Sequence, residues 1–354
     1  MASPFFVTAA VIGMVLAGEA PSSEVLVAGG EPARRLLGDW ETPDALVLAM
    51  TEPSDTHAAL LFAAAREVET FVLAAPDDEA DAVAWIADLQ GEGRVGFLEA
   101  KLDSDWVRDF GPLQVEVDGE GLLWLDAAYY LDRPLDDRVP VVLSDALGVP
   151  VEPFDLPVEG GAIISNGEGL CATTLESFEL FGLDPTDPDG RVVLDEVLAQ
   201  LGCEAWALVP ALLRDPTSHV DMLAQFLAPD VVLVAEIDPA LAPDDAARLD
   251  EAARGLELAA EALGQALRVV RVPTPVDVER GLYFTYVNGT RLGSSFLVPS
   301  YEAVPGAEED RAWAVLDREL RDVDIVPIPA DEFIALNGAV HCLTLGLTLP
   351  SAGP

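Results

Sequence analysis

Two short stretches set reactive side chains at spacings that could do chemistry. Near the C-terminus the chain reads GAVHC, with Cys342 directly after His341, and PTSHVDML (216–223) sets His219 and Asp221 two residues apart. In an extended segment side chains repeat every two residues, so His219 and Asp221 would share one face. Other candidates are Asp103, Asp105, Trp106, Arg108 and Asp109 in DSDWVRDFGP (103–112), Glu159 in VEGG, and Asn288 in YFTYVNGT (283–290). The double glycine after Glu159 allows a close backbone approach. A thiol, a histidine and several carboxylates, all distant in sequence, are what a cysteine hydrolase acting on a cation needs. The thiolate attacks, the imidazole moves protons and the carboxylates hold positive charge.

Taken singly, each group has a plainer reading: a buried small hydrophobe for a lone cysteine, a solvated turn for the acidic cluster, a hydrogen-bonded pair for His-x-Asp. Cys171 and Cys203 show no CxxC spacing, and three cysteines make an odd count that does not look like a disulfide framework, so both read as core. In DPTDPDGRVVLDE (184–196), Asp187, Asp189, Gly190 and Glu196 fall at calcium-loop-like offsets. Pro185 occupies the first ligand position, and the segment reads as a turn before a helix. No metal and no cofactor is expected.

The elements that must position these groups follow from composition and pattern. A chain of 354 residues with 51% hydrophobic content buries a sizeable core. Its formal net charge is −44, and Lys101 is its one lysine. Such a surface repels phosphate backbones and anionic lipids, which excludes nucleic acid and membrane-surface partners. It draws in guanidinium or amine cations, although salt screens that field beyond roughly 10 Å. Most of this charge is read as a solubility or salt-adaptation surface.

Strand-like runs at 45–50, 70–75 and 95–100 bracket helical stretches at 54–68 and 79–90. Amphipathic stretches at 190–202, 242–267 and 308–322 each precede an extended segment, at 205–210, 267–273 and 324–329. Asp244 and Asp245 stand where an N-cap should. Recurrence of helix, strand and proline points to a repeated α/β unit. Phe5 to Ala17 is an apolar run ahead of Gly18-Glu19-Ala20, which fits a signal-peptide core without a basic n-region and favours export over a cytoplasmic location. The alternative is a buried N-terminal strand.

In order and spacing the motifs resemble the agmatine deiminase and bacterial (Porphyromonas-type) peptidylarginine deiminase family, from about Trp40 to Pro350. WVRDFGP resembles its WxRDxGP motif, EGGAIISNGEG its EGGxxxxDGEG stretch and SHVDMLAQFLAP its HVD segment. TYVNGTRLGSSFLVP keeps its YxN, and GAVHC resembles its HC ending. The resemblance implies a pentein: a single-domain α/β propeller of five blades with pseudo-fivefold symmetry, spanning residues 36–354. Residues 1–35 would then be a signal peptide and N-terminal extension.

The resemblance also implies roles. Cys342 would be the nucleophile, His219 the general acid/base, Asp109 and Asp221 the guanidinium-binding carboxylates, and Asn288 a site asparagine. Trp106 would pack on the substrate and Glu159 would belong to the binding site. The implied reaction is hydrolysis of a guanidine, in a peptide or a small molecule, to a ureido product and ammonia. His341 is assigned a structural role, since neighbours in a strand face opposite ways. Ala162, Asn166 and Gly293 depart from the family pattern. AYYLDRPLDDRVP (127–139) is similar to the peptidylarginine branch, in which Arg133 would clamp a substrate carboxylate; Leu131 stands where a second arginine would be. Agmatine as substrate is the alternative within the family, and a catalytically silent pentein that binds a cation is the alternative outside catalysis.

Overall fold

Aliphatic runs too short for helices become the buried strands. ALVLA, strand Ala45–Ala49, is buried along its whole length, and so is AWALV, strand Ala205–Val209. The computed structural model describes residues 22–28, 33–75, 95–154, 156, 158–180 and 187–350. The signal-peptide-like run, the helix expected over 79–90 and residues 184–186 of the calcium-like segment lie outside them.

Among the described residues, five sheets share one construction. A first strand pairs antiparallel with a second, and the second pairs parallel with a third after a helical crossover, as parallel pairing requires. Thr344–Leu347, Ala45–Ala49 and Glu69–Ala74 make one such set around helix Asp55–Glu67, and Val95–Glu99 extends it. Leu113–Val117, Gly121–Ala127 and Val151–Phe154 make the next around helix Val139–Leu147. Ile164–Ser165, Leu170–Thr174 and Ala205–Val209 form the third, with helices Leu175–Leu180 and Pro188–Leu201 in the crossover. Ala224–Ala228, Val231–Glu236 and Arg268–Pro273 surround helix Pro243–Ala262. Thr290–Leu292, Ser295–Ser300 and Asp324–Pro329 surround helix Gly306–Glu319. The first set joins the chain's last strand to one near its start, so the C-terminal segment is locked into the body.

Among the described residues the helix and strand readings hold within a few residues of their expected ends, with some differences of detail. The longest helix is not capped by Asp244 or Asp245: Ala242 is its N-cap, Pro243 opens the first turn, and Asp245 Oδ1 accepts from Leu213 N at 2.9 Å. The folded body reaches past residue 36 toward the N-terminus. Strand Glu24–Val27 adds to Ala205–Val209, Arg34–Leu36 adds to Leu113–Val117, and Ser23 Oγ donates to Glu251 O at 2.8 Å. No helix among the described residues is long and apolar enough to cross a membrane.

The reading of Cys171 and Cys203 as unpaired core residues is corrected. They form a disulfide across 32 residues of sequence, with Cα atoms 5.9 Å apart. The reason is register: Leu170 lies opposite Ala205 in the parallel pair, which brings Cys203, just before its strand, beside Cys171. Such adjacency depends on strand pairing and leaves no mark in the spacing of cysteines.

Replacing both cysteines by serine should lower unfolding free energy by about 3–4 kcal/mol, the loop-closure value for a loop this long. Denaturant titration measures it. Thiol titration of the unfolded, unreduced wild type should find one thiol, that of Cys342; three would refute the pairing.

Candidate active site

Each of the five chemistry-bearing segments lies just before the first strand of one of the five sheets. Asp109 is in the short helix Val107–Phe110, ahead of Leu113–Val117. Glu159 is the N-cap of the turn Gly160–Ala162, ahead of Ile164–Ser165. His219 is the N-cap of the turn Val220–Met222, ahead of Ala224–Ala228. Asn288 precedes Thr290–Leu292, and Cys342 precedes Thr344–Leu347. The extended geometry expected for the His219 segment holds only at His219 itself (φ −72°, ψ 138°), after which the chain turns. Both side chains still enter one cluster.

Its geometry is specific. His219 Nε2 meets Glu159 Oε2 at 2.5 Å, and its Nδ1 lies 3.6 Å from Asp109 Oδ1. Asp109 Oδ1 also accepts from Gly161 N at 3.2 Å. Asn288 Nδ2 donates to Cys342 Sγ at 3.3 Å and to Asp221 O at 3.2 Å. The amide is held that way round because Asn288 Oδ1 accepts from His341 N at 3.0 Å. The Cys342 thiol points to Asp221 Oδ2 at 3.6 Å. Asp221 Oδ1, by contrast, is buried without a hydrogen-bond partner among the described residues. A buried acceptor left open beside a thiol is suited to a ligand that brings its own donors.

Burial and crowding set the charges. Asp109 is pushed up to about 7, first by burial and then by the negative charges of Glu159 and Asp221, with His219 opposing. Burial works against the charged form of His219, but Asp109, the hydrogen bond to Glu159 and the charges of Glu159 and Asp221 push it up to about 10. Glu159 and Asp221 are held below the usual carboxylate range, against the effect of burial, by His219 and His341 respectively. Burial, Asp221 and Asp109 raise the Cys342 thiol well above its ordinary value. The arrangement can therefore hold a cation, keep an imidazolium ready to donate, and release a thiolate once positive charge arrives.

The remaining expectations fare unevenly. Glu159, read as a substrate-binding residue, is engaged with His219. Arg133 stacks on Tyr129 and Tyr130, 5.9 and 5.4 Å from the ring centres, and donates to Tyr129 OH at 3.1 Å; Leu131 is 88% exposed beside it. Trp106 packs edge-on to Phe333 and against Gly338. The strand argument that set His341 aside fails, because His341 and Cys342 sit in a turn. His341 Nδ1 is 2.8 Å from Asp221 Oδ2, inside the cluster. Tyr130, which helps His219 hold Glu159 below the usual carboxylate range, was not singled out; only its place beside Arg133 could have suggested it.

The chain resembles known proteins over most of its length. Residues 27–347 match the model of the Porphyromonas-type peptidyl-arginine deiminase family. The chain is 28% identical over 289 residues to the agmatine deiminase of Pseudomonas aeruginosa, covering 72% of this chain and 77% of that protein. It is 29% identical over 291 residues to the agmatine deiminase of Ectopseudomonas mendocina, with the same coverage. The structure of the Enterococcus faecalis agmatine deiminase superposes with a TM-score of 0.77 at 20% identity, over 91% of this chain and 98% of that one. That of the C. jejuni agmatine deiminase gives 0.72 at 19%, over 89% and 96%. These likenesses establish a shared α/β fold.

The raised His219 fixes a direction for stability. Its folded value of about 10 exceeds the ordinary 6.5, so its contribution is fully present below about 6.5 and is lost as pH climbs toward 10. Urea unfolding should show stability falling over that window, and His219→Gln should flatten the slope. Equal slopes in the two proteins would show that His219 is not held protonated.

Proposed function

Because the chain belongs to the Porphyromonas-type peptidyl-arginine deiminase family, we propose that it hydrolyses the guanidinium of an arginine derivative to a ureido group and ammonia. The observation that carries this reading is the unpartnered Asp221 Oδ1 next to the Cys342 thiol. A guanidinium stays protonated and presents a planar fork of donors that carboxylates grip. Asp221 and Asp109 take opposite ends of that fork and fix its central carbon for attack. The bound cation offsets the two charges that hold the Cys342 proton, and the thiolate forms as that proton is lost to solvent.

The thiolate adds to the guanidinium carbon while Asn288 Nδ2 steadies the sulfur. His219, already protonated and oriented by Glu159, gives its proton to the departing nitrogen, and ammonia leaves an S-alkylthiouronium on Cys342. The now neutral His219 takes a proton from water, the water oxygen bonds to carbon, and as the C–S bond breaks the remaining proton on that oxygen passes to the departing Cys342 sulfur, releasing the ureido product and restoring the thiol. The site set is intact, which argues against a silent binding module.

The finer architecture belongs to the same proposal. Five sheets of one construction, each preceded by one site segment, support a five-bladed propeller about a pseudo-fivefold axis. Residues 36–354 form its single domain, and the N-terminal extension supplies edge strands. The Cys171–Cys203 disulfide supports action in an oxidising compartment.

Arg133 near the site favours a substrate that carries a carboxylate. Agmatine is the second reading, favoured by the named activity of the relatives in Pseudomonas and Ectopseudomonas.

Wild type should release ammonia from at least one of benzoyl-arginine, free arginine and agmatine, and Cys342→Ala should release none while keeping its melting temperature. Near-normal release from that variant would sink the mechanism. The preference for carboxylate-bearing substrates should be about ten- to a hundredfold in kcat/KM, the value of one partly buried charged hydrogen bond. It should shrink in Arg133→Ala. A preference for agmatine that the substitution leaves unchanged would select the second reading.

A further inference from the structure

The wall behind the nucleophile has two sides. Asp109, Glu159 and Cys342 face the cluster, while their chain neighbours Arg108, Gly160 and His341 line a separate cavity of about 90 Å³. That is room for several waters at roughly 10–15 Å³ each. Asp39, Glu41 and Arg291 also line it beside Leu36, Leu113 and Leu345, so the cavity is partly polar and carries charge. His341 is thus in contact with both compartments: it lines the cavity, and its Nδ1 reaches Asp221 Oδ2 at 2.8 Å. A carboxylate accepts only, so the imidazole donates through Nδ1–H.

We propose that His341 is a positioning residue for Asp221: its Nδ1–H pins Oδ2, which keeps Oδ1 turned toward the guanidinium, and its ring separates the site from the polar cavity behind. This rests on the deiminase reading above. The physical case is competition for Asp221. Oδ2 takes the imidazole and, more weakly, the Cys342 thiol; Oδ1 takes nothing among the described residues. Arg108, in the cavity wall, interacts electrostatically with Asp221 and with Cys342. Without the imidazole, the carboxylate is free to turn toward Arg108 and cavity water, and the thiol becomes the remaining donor to Oδ2. The charged and titratable groups around His341, Asp221 and Cys342 are Arg108 and Asp109, His219 and Asp215, which interact with Asp221, Asp39 and Glu41 from the loop before Ala45, Arg291 from Thr290–Leu292, and Tyr301.

The test compares His341→Leu, which fills the space without a donor, with His341→Asn, which retains a donor near the Nδ1 position. Two quantities are read: kcat/KM for the best substrate, and the pH profile of Cys342 alkylation by iodoacetamide in the free enzyme. The leucine variant should lose about 10- to 100-fold in kcat/KM, mainly through KM, as expected for a lost partner of a buried charge. Its alkylation profile should move to higher pH. The asparagine variant should recover most of both. If the leucine variant does not fold, His341→Asn against His341→Gln, whose amide sits one bond further out, makes the same comparison. Asparagine behaving no better than its donor-free or displaced counterpart, or a leucine variant within threefold of wild type with an unmoved profile, would overturn the proposal. Absence of turnover in wild type would instead overturn the deiminase reading, and the alkylation profiles would still decide the role of His341.

Discussion

Three carboxylates, Asp109, Glu159 and Asp221, share one site from which most water is excluded, and everything else about the site follows from making that tolerable. Moving an isolated carboxylate out of water costs several kcal/mol even after relaxation. Each here is offset by a specific partner: Glu159 by His219 at 2.5 Å, Asp221 by His341 at 2.8 Å, and Asp109 more loosely by His219 at 3.6 Å. The looseness of the last contact explains why Asp109 alone of the three is pushed upward. In the proposed reaction, a guanidinium held between Asp109 and Asp221 would complete this balance of charge.

The backbone is arranged to allow this crowding. Five short segments, each leading into the first strand of a sheet, bring their side chains to one place while the strands behind carry the apolar core. Two of those turn positions tolerate no side chain. A Cβ on Gly160 would lie 2.0 Å from Arg108 O, and one on Gly161 would lie 2.6 Å from both Asp109 Oδ1 and His219 Nδ1. The double glycine therefore serves close approach of the Glu159 turn to the helix that carries Asp109.

The departures from the family pattern fall largely in turns that serve the scaffold. Asn166 is buried, its Nδ2 donating to Pro229 O and Gln265 Oε1 and its Oδ1 accepting from Glu168 N and Leu170 N. Gly293 has φ +50° in the tight turn between Thr290–Leu292 and Ser295–Ser300, where a Cβ would strike Glu67. Ala162 is the exception, since it closes the turn after Glu159. The acidic surface, with its net charge of −44, draws a cationic substrate toward the site at low ionic strength.

From the sequence alone, the α/β class, most helices and strands, and the set of chemistry-bearing residues could be read, because hydrophobic periodicity and motif spacing are local. The spacing of GAVHC, HVD, WVRDFGP and EGG also carried the family. What it could not carry was adjacency across strands and turns. The Cys171–Cys203 disulfide depends on the register of two parallel strands joined by a crossover of some thirty residues. Glu159 became the partner of His219, and His341 the partner of Asp221, only once separate sheets had brought their leading turns together. The strand assumed at His341 is a turn, and the turn lets its Nδ1 reach Asp221 Oδ2 while the residue still lines the cavity behind. Residue types and local geometry are properties of the sequence; which buried charge meets which is decided by packing, because only the folded interior removes the water that would otherwise keep them indifferent to one another.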